Sequence, residues 1–161
     1  MSTANQTRSG AEVPARPQGC TNLKLRQLGR RVTSHYDAEL AKTGLKVTQY
    51  SLLSHVVKLG PLRPVDLAAA MRMSASTLSR NLQPLVAQGL LDILPGSDAR
   101  SRLVVATDSG QLKRAEAQRR WRAAQERLNQ ILGVERVLAL HTLIDEALEL
   151  LALDETGEDD V

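Results

Sequence analysis

A mostly α-helical fold is predicted for this chain, and three observations predict it. The 161 residues include only 2% aromatics, namely Tyr36, Tyr50 and Trp121, with no Phe. The core must therefore come from Leu, Val, Ile and Ala, which suits packed helices better than a large sheet. Apolar residues recur at helical spacing along most of the chain, and two short apolar runs are the strand-like exceptions. The length suits one domain, or one compact domain with an extension.

The elements follow in order. Residues 1–18 are rich in Ser, Pro, Gly and Arg without periodicity and are expected to form a disordered N-terminal arm. A first helix is expected from Thr21 to Lys42, with Leu25, Leu28, Val32, Tyr36 and Leu40 on one face and Gly44 closing it. A second begins near Thr48 as N-cap and runs to Gly60. A short extended link leads to a third helix, which starts at Pro64, a favourable first-turn residue, and continues to Met71. A break at Arg72-Met73 follows, Ser74 caps a fourth helix to about Gln88, and Gly89 ends it.

Next come the apolar runs Leu90–Leu94 and Leu103–Ala106, separated by P-G-S-D-A-R-S-R, a segment dense in turn formers and charge. This reads as a β-hairpin with a basic tip. Thr107 or Asp108 caps a fifth helix to about Leu132, Gly133 interrupts, and a sixth runs from Val134 to about Leu153. Two short helices followed at once by a hairpin make a winged helix-turn-helix. The expected division is an N-terminal dimerisation helix over 19–47, a winged helix-turn-helix over 48–106, C-terminal dimerisation helices over 107–153 and a disordered acidic tail over 154–161.

Charge is strongly asymmetric. Residues 1–127 hold 20 basic and 9 acidic side chains, residues 128–161 only 1 basic and 9 acidic, and the formal net charge is +3. A basic body with an acidic end fits a polyanionic partner. On a helical wheel the fourth helix turns Ala75, Leu78, Leu82, Leu85 and Val86 to the core. The opposite side carries Ser76, Thr77, Arg80 and Pro84, flanked by Ser79 and Asn81, and no acid occurs between Ser74 and Gln88. Small and hydroxylic residues let such a helix approach double-stranded DNA closely, and an arginine can take guanine O6 and N7 together. Ser74, Ser76, Thr77, Arg80 and Asn81 are therefore candidate DNA contacts. On the hairpin tip Arg100 and Arg102 are candidates for a flanking minor groove, with Asp98 placed to orient Arg100.

These segments resemble the MarR (multiple-antibiotic-resistance-regulator) family of transcriptional regulators. The most specific stretch is D-A-R-S-R-L-V-V-A-T-D-S-G, Asp98 to Gly110, similar to the family's wing signature of Asp, any residue, Arg, a short strand, then Thr and a helix. S-T-L-S-R-N-L-Q-P-L-V-A-Q-G-L, Ser76 to Leu90, resembles its recognition helix. Ala106 departs from the Leu more usual before the Thr. The resemblance covers roughly residues 20–153. It implies that Arg100 enters the minor groove with Asp98 in support, and that Ser76, Thr77 and Arg80 lie in the major groove.

The fifth helix carries a stripe of Ala117, Trp121, Ala124, Leu128 and Ile131, and the sixth one of Val137, Leu140, Ile144, Ala147 and Leu151. Leu138, Leu143, Leu148 and Leu150 lie outside the second stripe, a breadth of apolar surface that calls for a partner chain. A homodimer presenting two recognition helices to successive major grooves follows, with a pseudopalindromic operator. The resemblance also implies a small-molecule effector. Arg30, Arg31, His35 and Tyr50 are the candidate residues for it, and their cationic groups suit an anionic aromatic acid. Cys20 lies at the start of the first helix near Lys24 and is the candidate thiol of a redox switch, because the peroxide-sensing branch of the family carries its sensing cysteine near this point.

Three readings stay open at this point: a ligand-released repressor, a redox-sensing regulator using Cys20, and a helical protein-interaction module with no DNA role. An enzyme is not expected, since there is no Gly-rich phosphate loop, metal-ligand spacing or nucleophile–base pair, and no cofactor is implied. His35, His55 and His141 are scattered, and a single cysteine precludes an intrachain disulfide. With no apolar run of about 18 residues and no secretory leader pattern, no membrane partner is expected and the expected location is cytoplasmic.

Overall fold

The computed structural model describes residues 17–97 and 101–157. Helix α1 spans Thr21–Leu40 and ends in a single 3-10 turn, Ala41–Thr43. α2 (Val47–Leu59), α3 (Pro64–Ala70) and α4 (Ala75–Ala87) follow. Strands β1 (Leu91–Pro95) and β2 (Arg102–Ala106) form the hairpin, and α5 (Asp108–Leu132) and α6 (Val134–Gly157) complete the chain. Among the described residues no helix is long and apolar enough to cross a membrane.

The core is built around α2, which packs against α1, α4, β2 and α5. Leu52 and Leu53 of α2, Leu67 of α3, Leu85 of α4, Leu91 of β1 and Val104 of β2 are wholly buried there. The hairpin is antiparallel, with Leu91 opposite Ala106 and Pro95 opposite Arg102. A second pairing holds it to the body: Leu62, in the link before α3, exchanges both backbone hydrogen bonds with Val104 (2.9 and 3.3 Å). The link is thus a third, one-residue rung of the wing sheet rather than a free connection.

Several element ends differ from the sequence expectation for local reasons. Thr48 is not the cap of α2, because the helix starts one residue earlier, at Val47. Its free N–H groups are met from elsewhere: Asp37 of α1 accepts from Val47 N–H (2.6 Å), and Gln49 Oε1 accepts from Lys46 N–H (2.9 Å). A carboxylate at a helix N-terminus is favoured by the helix dipole as well. At the far end, α6 continues to Gly157, so residues 154–157 lie in a helix rather than in a disordered acidic tail. Asp, Glu and Thr do not break a helix; glycine is the first residue there that does.

The α5 stripe faces its own chain as far as Leu128, while Ile131 at its end is exposed. Ala117 and Ala124 are fully buried, and Trp121 and Leu128 pack against the same core. Trp121 stacks on Tyr36 of α1 (centroids 6.3 Å apart) and on Tyr50 of α2 (6.2 Å). All three aromatic residues therefore form one column where α1, α2 and α5 meet. The stripe on α6 is covered at Val137 and partly at Leu140, after which every side chain through Ala152 is exposed.

Candidate nucleic-acid interface

The α3–turn–α4 unit is set by short-range chemistry. Arg63, the N-cap of α3, donates two hydrogen bonds to Asp66, from Nε (2.8 Å) and from an η nitrogen (2.9 Å). These bonds hold the Asp66 carboxyl below the usual carboxylate range. The turn closes at Arg72, a non-glycine residue in the left-handed region (φ 50°), and Met73 N–H reaches back to Ala68 O (2.9 Å). Ser74 then caps α4: its Oγ accepts from Thr77 N–H (3.3 Å) and donates to Thr77 Oγ1 (2.9 Å).

α4 buries Leu78, Leu82 and Leu85. Ser76 and Arg80 are exposed one turn apart, and Arg80 Nε–H donates to the Ser76 carbonyl (3.3 Å). Thr77 is half-buried at the cap. Asn81 is also half-buried, its amide turned to Met73 Sδ (3.8 Å). Of the five residues expected on this helix and its cap, Ser76 and Arg80 thus face outward, Ser74 and Thr77 hold the helix start, and Asn81 lies on the flank. Gln83, absent from that set, is exposed on the same stripe as Ser76 and Arg80.

The wing is anchored at its base. Thr107 Oγ1 accepts from Gly110 N–H (3.0 Å), capping α5, and donates to Gly89 O (2.7 Å) at the end of α4. Gly110 sits against the backbone of Leu90, where an added Cβ would lie 2.0 Å from the Leu90 carbonyl oxygen. Thr107 and Gly110 thus both join α5 to the strand entry. At the tip, Asp98 and Arg100 lie outside the described residues. Arg102 is exposed and borders an apolar groove of about 940 Å³ between α3, α4 and the hairpin, which Val65, Leu78, Ser79 and Ile93 also line.

The candidate effector residues do not converge. Arg30 and Arg31 are exposed on α1 beside Gln27 and Ser34. His35 Nε2 donates to Ala124 O (2.9 Å), tying α1 to α5. Tyr50 is buried in the aromatic column. Cys20 is exposed as the N-cap residue of α1. No group of His, Cys, Asp and Glu suited to a metal occurs among the described residues.

Comparison with known proteins bears on this surface. The MarR family model matches residues 43–101, from the end of the 3-10 turn to the wing. The transcriptional regulator MosR of M. tuberculosis, solved in complex with DNA, is 29% identical with a TM-score of 0.67 over 81% of this chain and 98% of that one. The chain is thus similar to MarR-family regulators over its central segment and shares their fold. A MarR-family regulator from Rhodococcus sp. RHA1 is 24% identical (TM-score 0.64, 79% of this chain and 92% of that one). A mutant of E. coli MarR complexed with operator DNA is 20% identical (TM-score 0.72, the same coverage) and shares the fold. A comparison with curated proteins gives no match. The matched segment is the one that builds α2, α3, α4 and the first strand of the hairpin.

Proposed function

We propose that this chain is a MarR-family regulator, a homodimeric transcriptional repressor that binds a pseudopalindromic double-stranded operator. α4 lies in the major groove and the wing reaches the flanking minor groove. The observation that carries this reading is the outward face of α4, where Ser76 and Arg80, whose guanidinium has no acidic partner among the described residues, stand on a helix without a single acid. A solvated helix face ordinarily carries acids as well as bases. A dimer seated over two successive major grooves occludes the DNA beneath it, which makes repression its simplest output.

Dimerisation is supported by the exposed leucines of α6 and of the first half of α1. Leu23, Leu25, Leu138, Leu143, Leu150 and Leu151 are all more than half exposed in the single chain. Contiguous apolar surface of this kind marks an interface. Release by a small anionic effector is the regulatory part of the proposal. Arg30 and Arg31 offer the open cationic surface for it, whereas His35 and Tyr50 are engaged inside the protomer. The protein acts in the cytoplasm, where its operator is.

Selection of random duplexes by the purified protein tests the reading. Enrichment of a palindrome with half-sites about one helical turn apart, with affinity falling steeply as salt rises, is expected. Arg100→Ala should weaken binding to that site by about 1–3 kcal/mol. Absence of any enriched motif at low salt would favour the interaction-module reading instead. The exposure of Cys20 supports a second form of regulation, oxidation of its thiol. Cys20→Ser should then keep DNA binding while abolishing any response to peroxide, and an equal response in the variant removes this form.

A further inference from the structure

The polar side chains of α4 divide into those bonded within the protein and those left facing outward. Thr77 is bonded to Ser74, Asn81 is turned to Met73, and Gln88 Nε2 donates to the Pro84 carbonyl (2.9 Å). Ser76 Oγ lies 3.1 Å from Ser74 Oγ at the cap. Arg80 is bonded through Nε alone, to the Ser76 carbonyl. Its two terminal nitrogens have no acidic partner among the described residues. Gln83 is exposed and makes no side-chain hydrogen bond to the described residues. Both unsatisfied groups occupy the stripe opposite Leu78, Leu82 and Leu85.

This arrangement has a defined reading capacity. The Nε bond points the guanidinium along the helix and leaves the terminal fork free for two parallel hydrogen bonds. Guanine presents two acceptors, O6 and N7, at that spacing in the major groove. A glutamine amide offers one donor and one acceptor, matching N7 and N6 of adenine. Three residues apart, Arg80 and Gln83 are separated by about 4.5 Å along the helix axis. That is close to one base-pair step of about 3.4 Å, so the two side chains are near enough to each other to reach neighbouring base pairs.

We propose that Arg80 and Gln83 together read a guanine and an adenine in adjacent base pairs of each operator half-site. This inference rests on the DNA-binding reading above and adds the identity of the bases and a specificity residue, Gln83. Ser76 acts as the positioning partner through its carbonyl, which holds Arg80 in place.

The test compares random-duplex selections by the full chain and by its Arg80→Ala, Gln83→Ala and Gln83→Glu variants. Retained non-specific, salt-sensitive binding and unchanged thermal unfolding serve as the check that each variant folds. The wild-type motif should contain adjacent G and A positions in each half-site. Arg80→Ala should lose preference at the G alone, by about 5- to 100-fold against the other bases. Gln83→Ala should lose preference at the A alone. Gln83→Glu should replace A by C there, because a carboxylate accepts from cytosine N4 but cannot donate to adenine N7. An unchanged motif in the Gln83 variants would overturn the proposal. So would a wild-type palindrome lacking the G and A pair, and that outcome would leave DNA binding itself standing. Failure of the wild type to enrich any motif would overturn both.

Discussion

The body around α2 and the outer parts of α1 and α6 use the same residue, leucine, to opposite effect. Leu52, Leu53 and Leu85 have no exposed surface, whereas Leu138 is 60% exposed, Leu143 64% and Leu150 67%. The body encloses its core with its own α5 and hairpin. The first turns of α1 leave Leu23, Leu25 and Leu28 exposed, and α6, through Ala152, covers only Val137 and, in part, Leu140. A chain that finishes one half of its packing and leaves the other bare has its second half completed by something else. On the proposed function that is a second copy of itself. On that proposal one protomer supplies a whole DNA-binding unit and half of the part that spaces two such units apart.

The comparison can be broken most directly in the body. Leu53→Ala should destabilise the fold by about 2–5 kcal/mol in chemical denaturation, the usual cost of a cavity at a closed site. An effect under about 1 kcal/mol would mean that the body is not the self-sufficient half. On α6, Leu143→Asp should lower the affinity of protomer for protomer by at least about tenfold in sedimentation, with the helical content of the body retained. A variant that stays dimeric at every concentration would show that the bare face of α6 is not what holds the dimer. Smaller still, Ser74→Ala should cost about 1 kcal/mol by uncapping α4 and freeing Thr77. The same change made at Thr48, which caps nothing, should leave stability within about 0.5 kcal/mol.

The smallest effect sharpens the electrostatic side. The Asp66 carboxyl titrates below its usual range because Arg63 donates hydrogen bonds to it. The contribution of this pair is therefore present above the ordinary carboxylate range and lost as pH falls through the lowered value. Arg63→Ala should return the Asp66 titration, followed by NMR, toward the ordinary value. Both side chains are about half exposed, so solvent screening keeps the stability change slight.

Much of the proposed DNA-binding unit was legible because its signals are local. Ser74, Thr107, Gly89 and Gly133 each mark an element end through cap or backbone chemistry that acts within a few residues. The pairing of Leu62 with Val104 was not legible, since each backbone finds its partner only after the chain folds. Nor does a helical stripe say what it meets: the α5 stripe turned inward as far as Leu128 while most of the α6 stripe did not. Gln83 escaped for a geometric reason. Counting Ala75 and Val86 as core rotates the expected outward face toward Pro84, by about 25° at 100° per residue. In the structure Ala75 is exposed and Val86 only half-buried, so Ser76, Arg80 and Gln83 stand outermost. Tyr50 shows the converse, a residue type fit for a ligand pocket but spent on core stacking.

That stacking has a use for the experimenter. Trp121 is the single indole of the chain, and it lies between Tyr36 of α1 and Tyr50 of α2, each ring inclined to it by 29°. Any movement of α1 against α2 changes the overlap around this lone emitter. The protein thus carries an optical gauge of its own posture, readable by ultraviolet fluorescence without a label and without a second tryptophan to blur the signal.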